Sequence, residues 1–261
     1  MDLGLKGSRV LVAASSSGLG AATARQFSRE GARVAVNGRE QGKLNVTAES
    51  IRQETGGEVI ALAGDLIAAP EEVVEQAVAA FGGLDILVTN AGGPKPGTFE
   101  SVGLVDWENA FQLTVMSAVR LIRAALPYLR QSDHPAILTI TSTSIKQPIE
   151  NLILSNSVRM AVGGLTKSLA NELGPEGIRI NSILPGWTMT GRVDEIMQAR
   201  SQAQGITVEE AVNRQMSGTP LGRIGQPDEF ANVAVFLCSP AASYVHGAMI
   251  PVEGGTLRAT L

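Results

Sequence analysis

The sequence predicts an α/β protein built as one doubly wound domain, a seven-stranded parallel sheet with helices on both faces. Three observations predict it. Short β-branched or apolar runs alternate with longer amphipathic segments almost from end to end. Those runs are apolar on both faces, as strands covered by helices on both sides must be. A serine- and glycine-rich turn, Ser15 to Gly20, separates the first run from the first amphipathic segment, the place where such folds approach a ligand.

Taken in order, the expected strands are Val10–Ala13, Arg33–Val36, Val59–Ala63, Ile86–Thr89, Ile137–Thr141, Arg179–Leu184 and Ala248–Val252. Helices are expected between them at Gly20–Glu30, Gly42–Glu54, Glu71–Phe81, Trp107–Arg130, Leu152–Leu173 and Asp228–Leu237. Periodicity is clearest in the fifth helix. Leu154, Val158, Val162, Leu165, Leu169 and Leu173 step by three or four residues and predict one continuous buried stripe. Strand–helix alternation of this kind gives right-handed crossovers and a Rossmann-type sheet. No internal repeat or linker divides the chain, so residues 1–261 are expected to form a single domain. The one long interruption, 191–218, is polar and partly helical. Above the carboxyl ends of the strands it would be a substrate lid.

Composition narrows the class. A chain of 261 residues with 44% hydrophobic and 18% charged residues has the material for one substantial core. Its 29 glycines exceed the usual share of roughly 7%, pointing to tight turns and close backbone approaches. A net charge of −4 argues against a general nucleic-acid binder, which needs a basic surface. The lone cysteine, Cys238, excludes an internal disulfide and fits a reducing compartment, and its apolar neighbours mark it as core. Residues 1–6 lack the apolar core of a signal peptide, and no apolar run approaches the ~18 residues of a membrane span. A cytoplasmic protein with no membrane partner is expected, and no metal ion.

The turn carries the first functional reading. Gly18 and Gly20 remove side chains where backbone must approach a pyrophosphate, whose charge a helix N-terminus favours. Ser15, Ser16 and Ser17 add hydroxyls able to donate to phosphate. At the end of the second strand, where an acidic residue would bind the ribose 2′-hydroxyl of NAD, stands Asn37-Gly38-Arg39. No carboxylate repels a 2′-phosphate there, and Arg39 can pair with one through its planar fork. NADP(H) is therefore favoured, with NAD(H) left open; the competing reading of Arg39 is a solvated helix-entry residue.

Further marks follow at matching spacing: Asp65, Asn90-Ala91-Gly92, Ser142, Pro185-Gly186 with Thr190, Gly222 to Pro227, and Val252-Glu253-Gly254-Gly255. On these residues the chain resembles the short-chain dehydrogenase/reductase (SDR) family along nearly its whole length. The resemblance implies that Ser17, Gly18, Leu19 and Gly20 cradle the cofactor and that Asp65 and Leu66 flank the adenine. Asn90 and Gly92 would line the cofactor, while Pro185, Gly186, Thr188 and Thr190 would close around the nicotinamide, the threonines holding its carboxamide. It also implies a homo-oligomer, tetramer or dimer, formed by the two long helices. Gly163-Gly164 would permit close helix approach there or packing within the monomer. One mark departs from the pattern: the first glycine of the family's turn is Ala14, whose methyl group could crowd it.

The departure is larger at the residues that do chemistry. By the resemblance, a Ser holds the substrate oxygen, a Tyr donates the proton, a Lys four residues later lowers the Tyr pKa, and an Asn completes a relay. Here Ser142 is kept, but the Tyr position is Ser155, the Lys position Arg159 and the Asn position Thr114. An aliphatic hydroxyl is a far weaker acid than a phenol, and a guanidinium stays charged. Ser155 and Arg159 still share one helix face, and Arg159 can still bind the cofactor through a ribose hydroxyl or hold an anionic group. Neither tyrosine, Tyr128 nor Tyr244, is placed to substitute. Lys95 and Lys146 are candidate replacements for the lost acid, against the alternative of solvated loop lysines. If they converge with Arg159, the substrate should bear a carboxylate or phosphate. His134 lies at the wrong end of its strand, and His246 reads as structural. Three functions remain open: an NADP-dependent oxidoreductase of a small carbonyl or alcohol substrate with a rebuilt relay, a cofactor-binding sensor or scaffold, and a non-redox dehydratase or isomerase.

Overall fold

The computed structural model describes residues 1–258. Seven strands form one parallel sheet in the order β3-β2-β1-β4-β5-β6-β7. They are β1 (Arg9–Val12), β2 (Arg33–Gly38), β3 (Val59–Ala63), β4 (Ile86–Thr89), β5 (Ala136–Ile140), β6 (Arg179–Pro185) and β7 (Met249–Val252). The order reverses at β1, so a crevice opens between β1 and β4 at the carboxyl edge, the place where doubly wound sheets bind ligands. β1 registers Val10 on Val34 of β2 and on Ile86 of β4. The alternating faces of these strands feed two separate cores. One holds Val10, Val12, Phe27, Val34 and Phe230; the other holds Leu11, Val74, Leu87, Leu121 and Ile180.

The helices covering the sheet are α1 (Gly18–Arg29), α2 (Gln41–Thr55), α3 (Pro70–Phe81), α4 (Leu104–Phe111), α5 (Ser117–Leu129), α6 (Ile153–Leu173) and α9 (Pro227–Cys238). Two more, α7 (Gly191–Gln204) and α8 (Val208–Ser217), form the insertion. Their small core of Val193, Met197, Ala211 and Ile224 is separate from the main ones. Among the described residues no helix is long and apolar enough to cross a membrane.

Three expectations change in detail. α1 begins at Gly18, so both turn glycines lie inside its first turn. The helix expected over Trp107–Arg130 is broken at Gln112–Met116 by a π-helical turn between α4 and α5, a local widening common near functional sites. The buried stripe of α6 leaves the leucine pattern halfway along. Leu154, Val158, Val162 and Leu173 are buried as expected, but between the last two the fully inward residues are Thr166 and Ala170, with Leu165 and Leu169 half-buried against the second core. Small residues let α6 approach β5, where the Thr166 hydroxyl lies 2.9 Å from that of Thr139. Gly163 belongs to the same close approach: a Cβ there would meet Ile145 at 3.3 Å, whereas Gly164 faces open space. His246 is a structural bridge. Its Nδ1 accepts the Ile180 N–H at 3.2 Å, so Nε2 carries the proton and donates to the Ala170 carbonyl at 2.7 Å.

Candidate active site

The turn between β1 and α1 is held by three side chains, Ser15 and Asn37 fully buried and Asn90 half-buried. The Ser15 hydroxyl donates to the Val12 carbonyl at 2.6 Å and accepts the Asn37 N–H at 2.9 Å. Asn37 accepts the Ala14 N–H on Oδ1 at 3.2 Å and donates through Nδ2 to Leu62 and Gly64. Asn90 donates to the Ala14 carbonyl at 3.0 Å. Clamped on both sides, Ala14 sits at φ 45°, in the left-handed region that costs a residue with a Cβ roughly 1–2 kcal/mol. The residue that departs from glycine is thus the one whose backbone most needs it. Ser17 caps α1 with no side-chain hydrogen bond, and no acidic residue stands in the first turn. The first N–H groups of α1 are therefore left for an anion.

Further along the carboxyl edge, β5 runs into Ser142, whose Oγ accepts the Ser144 N–H at 3.1 Å. Opposite it, α6 presents Ser155 and Arg159, both buried. Arg159 donates from Nε to the Ser155 Oγ at 3.2 Å and from Nη1 to the carbonyls of Thr141 (3.0 Å) and Ile140 (3.4 Å). No carboxylate faces it among the described residues. Burial, reinforced by the charge of Arg192, lowers its pKa to about 10, so it remains a cation at neutral pH. The loops after β4 and β5 are tied together by backbone alone: Gly97 N–H to Asn151 O at 2.7 Å and Ile153 N–H to Gly97 O at 3.2 Å, with Asn151 held at φ 60°.

The third wall comes from β6 and α7. A Cβ on Gly186 would sit 2.4 Å from the Glu253 Cβ, so only glycine lets the C-terminal segment cross there. Thr188 is buried and Thr190 caps α7, which then sends Arg192, Val193 and Ile196 inward. These walls enclose one open cavity of about 770 Å³ extending from Arg39 to Arg192.

The family model described as Enoyl-(Acyl carrier protein) reductase matches residues 13–256. The chain belongs to the short-chain dehydrogenase/reductase family. It is 32% identical over 259 residues to the 7alpha-hydroxysteroid dehydrogenase of Escherichia coli (strain K12), covering 98% of this chain and 97% of that one. A solved 7 alpha-hydroxysteroid dehydrogenase complexed with NADH superposes with a TM-score of 0.88 at 32% identity, over 100% of this chain and 98% of that one. L-sorbose reductase from Gluconobacter frateurii, complexed with NADPH and L-sorbose, superposes with a TM-score of 0.94 at 32% identity, over 99% of this chain and 100% of that one. An NADPH-bound short chain oxidoreductase from Pseudomonas aeruginosa PAO1, containing an atypical catalytic center, gives 0.87 at 32% identity over 98% and 100%.

Within this SDR fold, the residues expected at the site line this cavity, except Ser15, Lys95, Thr114 and Lys146. Ser15 is fully buried with its hydroxyl spent on Val12 and Asn37, so it locks the turn and offers nothing to a phosphate. Thr114 lies in the π-helical turn, buried, its hydroxyl without a partner among the described residues; Leu113 lines the cavity instead. Lys146 is exposed beyond the end of the Ser142 loop, outside the lining. Lys95 is drawn away by Asp106 at 2.9 Å. Neither tyrosine lines the cavity: Tyr128 packs against the second core and Tyr244 is exposed. Sequence reasoning missed Asn37 as the lock and Arg192 as a cavity cation. For Arg192 a signal existed, a charged residue opening the insertion directly after Thr190 and Gly191.

A Cβ on Gly20 would lie 2.6 Å from the Ala14 carbonyl and 2.8 Å from the Ser15 Cα, both backbone atoms that cannot swing aside. Gly20→Ala should therefore destabilise the protein by about 1–3 kcal/mol. Ala14→Gly should instead stabilise it by about 1 kcal/mol or less, relief of the left-handed backbone being partly offset by glycine's greater unfolded-state entropy. Thermal unfolding of the two variants against the parent checks the opposite signs.

Proposed function

We propose that the protein is an NADP(H)-dependent oxidoreductase that interconverts a carbonyl and an alcohol on a small-molecule substrate, with a proton relay rebuilt around Arg159. The observation that carries this reading is the buried Arg159 guanidinium donating to Ser155 inside the cavity that Ser142 also lines. The SDR relatives complexed with NADPH or NADH support a nicotinamide cofactor.

The residues present fit that cofactor. The uncapped start of α1 and the bare Cα atoms of Gly18 and Gly20 suit a pyrophosphate. Asn37 has every polar group engaged, and no carboxylate stands at the end of β2, while the exposed Arg39 lines the cavity there and can hold a 2′-phosphate. Asp65 and Leu66 would flank the adenine, Asn90 and Gly92 the middle of the cofactor, and Thr188 and Thr190 the carboxamide. When bound, the nicotinamide supplies or accepts the hydride.

The protein's part is to hold and charge the substrate oxygen. The Ser142 hydroxyl accepts the Ser144 N–H and the Ser155 hydroxyl accepts the Arg159 N–H, so each has its own hydrogen left to donate into the cavity. Arg159 supplies a fixed positive charge in a desolvated place, where it favours an alkoxide and sharpens the acidity of the Ser155 hydroxyl. Ser155 gives the proton to the substrate oxygen, and water entering the open cavity restores it. Thr114, hydrogen-bonded to nothing described, takes no part. We assign residues 191–218 as the substrate lid, since α7 forms one cavity wall, and a cytoplasmic homo-oligomer, dimer or tetramer, as the assembly. A second reading, a cofactor-binding protein without hydride transfer, is favoured by one fact: no side chain at the Ser155 position has a phenol's acidity.

NADPH oxidation with a panel of ketones and aldehydes, alongside a binding titration, separates the two. Binding without oxidation, unchanged in a Ser155→Tyr, Arg159→Lys double variant, removes the oxidoreductase reading, and failure to bind either nucleotide removes the cofactor. Arg39→Asp should weaken NADPH about 10- to 100-fold, through loss of charge-assisted hydrogen bonds, and leave NADH no weaker. Because the protonated Arg159 is the active form and its pKa is about 10, kcat should fall as pH rises through that value. In Arg159→Met the falling limb should vanish along with most of the rate.

A further inference from the structure

Arg192 is a cation of the insertion that faces the cavity. It leaves the first turn of α7 and reaches across the cavity to the loop after β4, where Nη2 donates to the Pro94 carbonyl at 2.7 Å. Its guanidinium lies over the bare Cα of Gly93: a Cβ at that position would sit 2.7 Å from Nε and 2.9 Å from Cζ. Glycine at 93 is what admits it. The single carboxylate it meets, Glu195 at 3.2 Å, is 70% exposed and lies on the same helix, so that pairing is weak.

The second cation is Arg159. Its Nε and Nη1 are spent on Ser155, Ile140 and Thr141, and its Nη2 has no acceptor among the described residues. Both guanidinium groups line the same cavity, and the charge of Arg192 adds to the lowering of the Arg159 pKa. Two like charges held in one partly desolvated cavity repel, and among the described residues only backbone carbonyls, the Ser155 hydroxyl and the exposed Glu195 carboxylate oppose that cost. Ile149, Leu152, Val193 and Ile196 make the adjoining surface apolar.

We propose, building on the oxidoreductase reading above, that the substrate carries an oxyanion group, carboxylate or phosphate, seated between Arg192 and Arg159, with an apolar body against Ile149, Leu152 and Val193. Planar guanidinium forks match either oxyanion. Lys95 and Lys146, the lysines anticipated there, do not converge on Arg159; the second cation comes from the insertion. Arg192 binds substrate and takes no proton.

Calorimetric titration of the NADP⁺-loaded protein with octanoate, octyl phosphate and octan-1-ol tests the pairing. One or both anions should bind at least about tenfold tighter than the alcohol, and the tighter one identifies the oxyanion. Arg192→Met should bring all three within about twofold of each other while NADPH affinity stays within about threefold. Gly93→Ala, which keeps the arginine but crowds its guanidinium, should weaken the preference, and Arg192→Lys should retain part of it. Equal binding of the three probes by the parent overturns the proposal. So does an Arg192→Met variant that loses NADPH rather than octanoate, because Arg192 then belongs to the cofactor. Titration without nucleotide, and turnover of 2-oxooctanoate against octan-2-one, separate this proposal from the reading beneath it. Anion preference without NADPH oxidation leaves the arginine pair standing and removes the oxidoreductase. Oxidation of NADPH with no preference for the acid does the reverse.

Discussion

The hydrogen-bond lock at the start of the chain, Ser15 and Asn37 on one side and Asn90 on the other, is what the rest of the site depends on. It joins the ends of β1, β2 and β4, the three strands around the point where the sheet order reverses. Because it grips both the N–H and the carbonyl of Ala14, it imposes a left-handed backbone that an alanine would not choose. That bend aims the axis of α1 into the crevice. Buried polar groups that are fully satisfied specify one geometry, and here they do so in place of a missing glycine.

Arg159 illustrates the opposite economy. A buried charge normally has a counter-charge, and breaking such a pair is costly. This guanidinium has carbonyl dipoles and one hydroxyl instead, at the carboxyl end of β5, where backbone oxygens converge. Those partners orient it and do not neutralise it. The SDR scaffold thereby keeps a cation at the position where the resemblance implies a lysine, while the neighbouring hydroxyl is a much poorer acid than a phenol.

Strand and helix identities were legible because both-face apolar runs and 3.6-residue periodicity report burial directly. The limits of that signal are visible in α6. Hydropathy selects Leu165 and Leu169, yet Thr166 and Ala170 face inward, because the tight approach to β5 admits only small side chains and pairs one hydroxyl with another. The site was legible where spacing along the chain translates into spacing along one edge, as for Gly18, Asn90, Ser142 and Thr188. It was illegible where a side chain's direction depends on packing elsewhere. Ser15 looks like a phosphate donor until Asn37 takes its hydroxyl. Lys146 looks like a proton donor until the turn after Ser142 leaves it in solvent. Arg192 could be suspected from its place at the head of the insertion, but its inward direction shows only against Gly93, where a Cβ would crowd it.

The backbone clasp between Gly97 and Asn151 ties the loops after β4 and β5 beside the cavity, and the Asn156 side chain fixes Ile149 within the second of them. The opposite side rests on α7 and α8, whose small core is completed by Ile224 and stands apart from the two that hold the sheet, so changes there have little effect on the sheet. Mouth and chemistry are therefore separable: a fixed jaw carries the reacting groups, and an exchangeable one faces it. Diversification of this scaffold, in a laboratory or over generations, has its least constrained route through the exchangeable jaw.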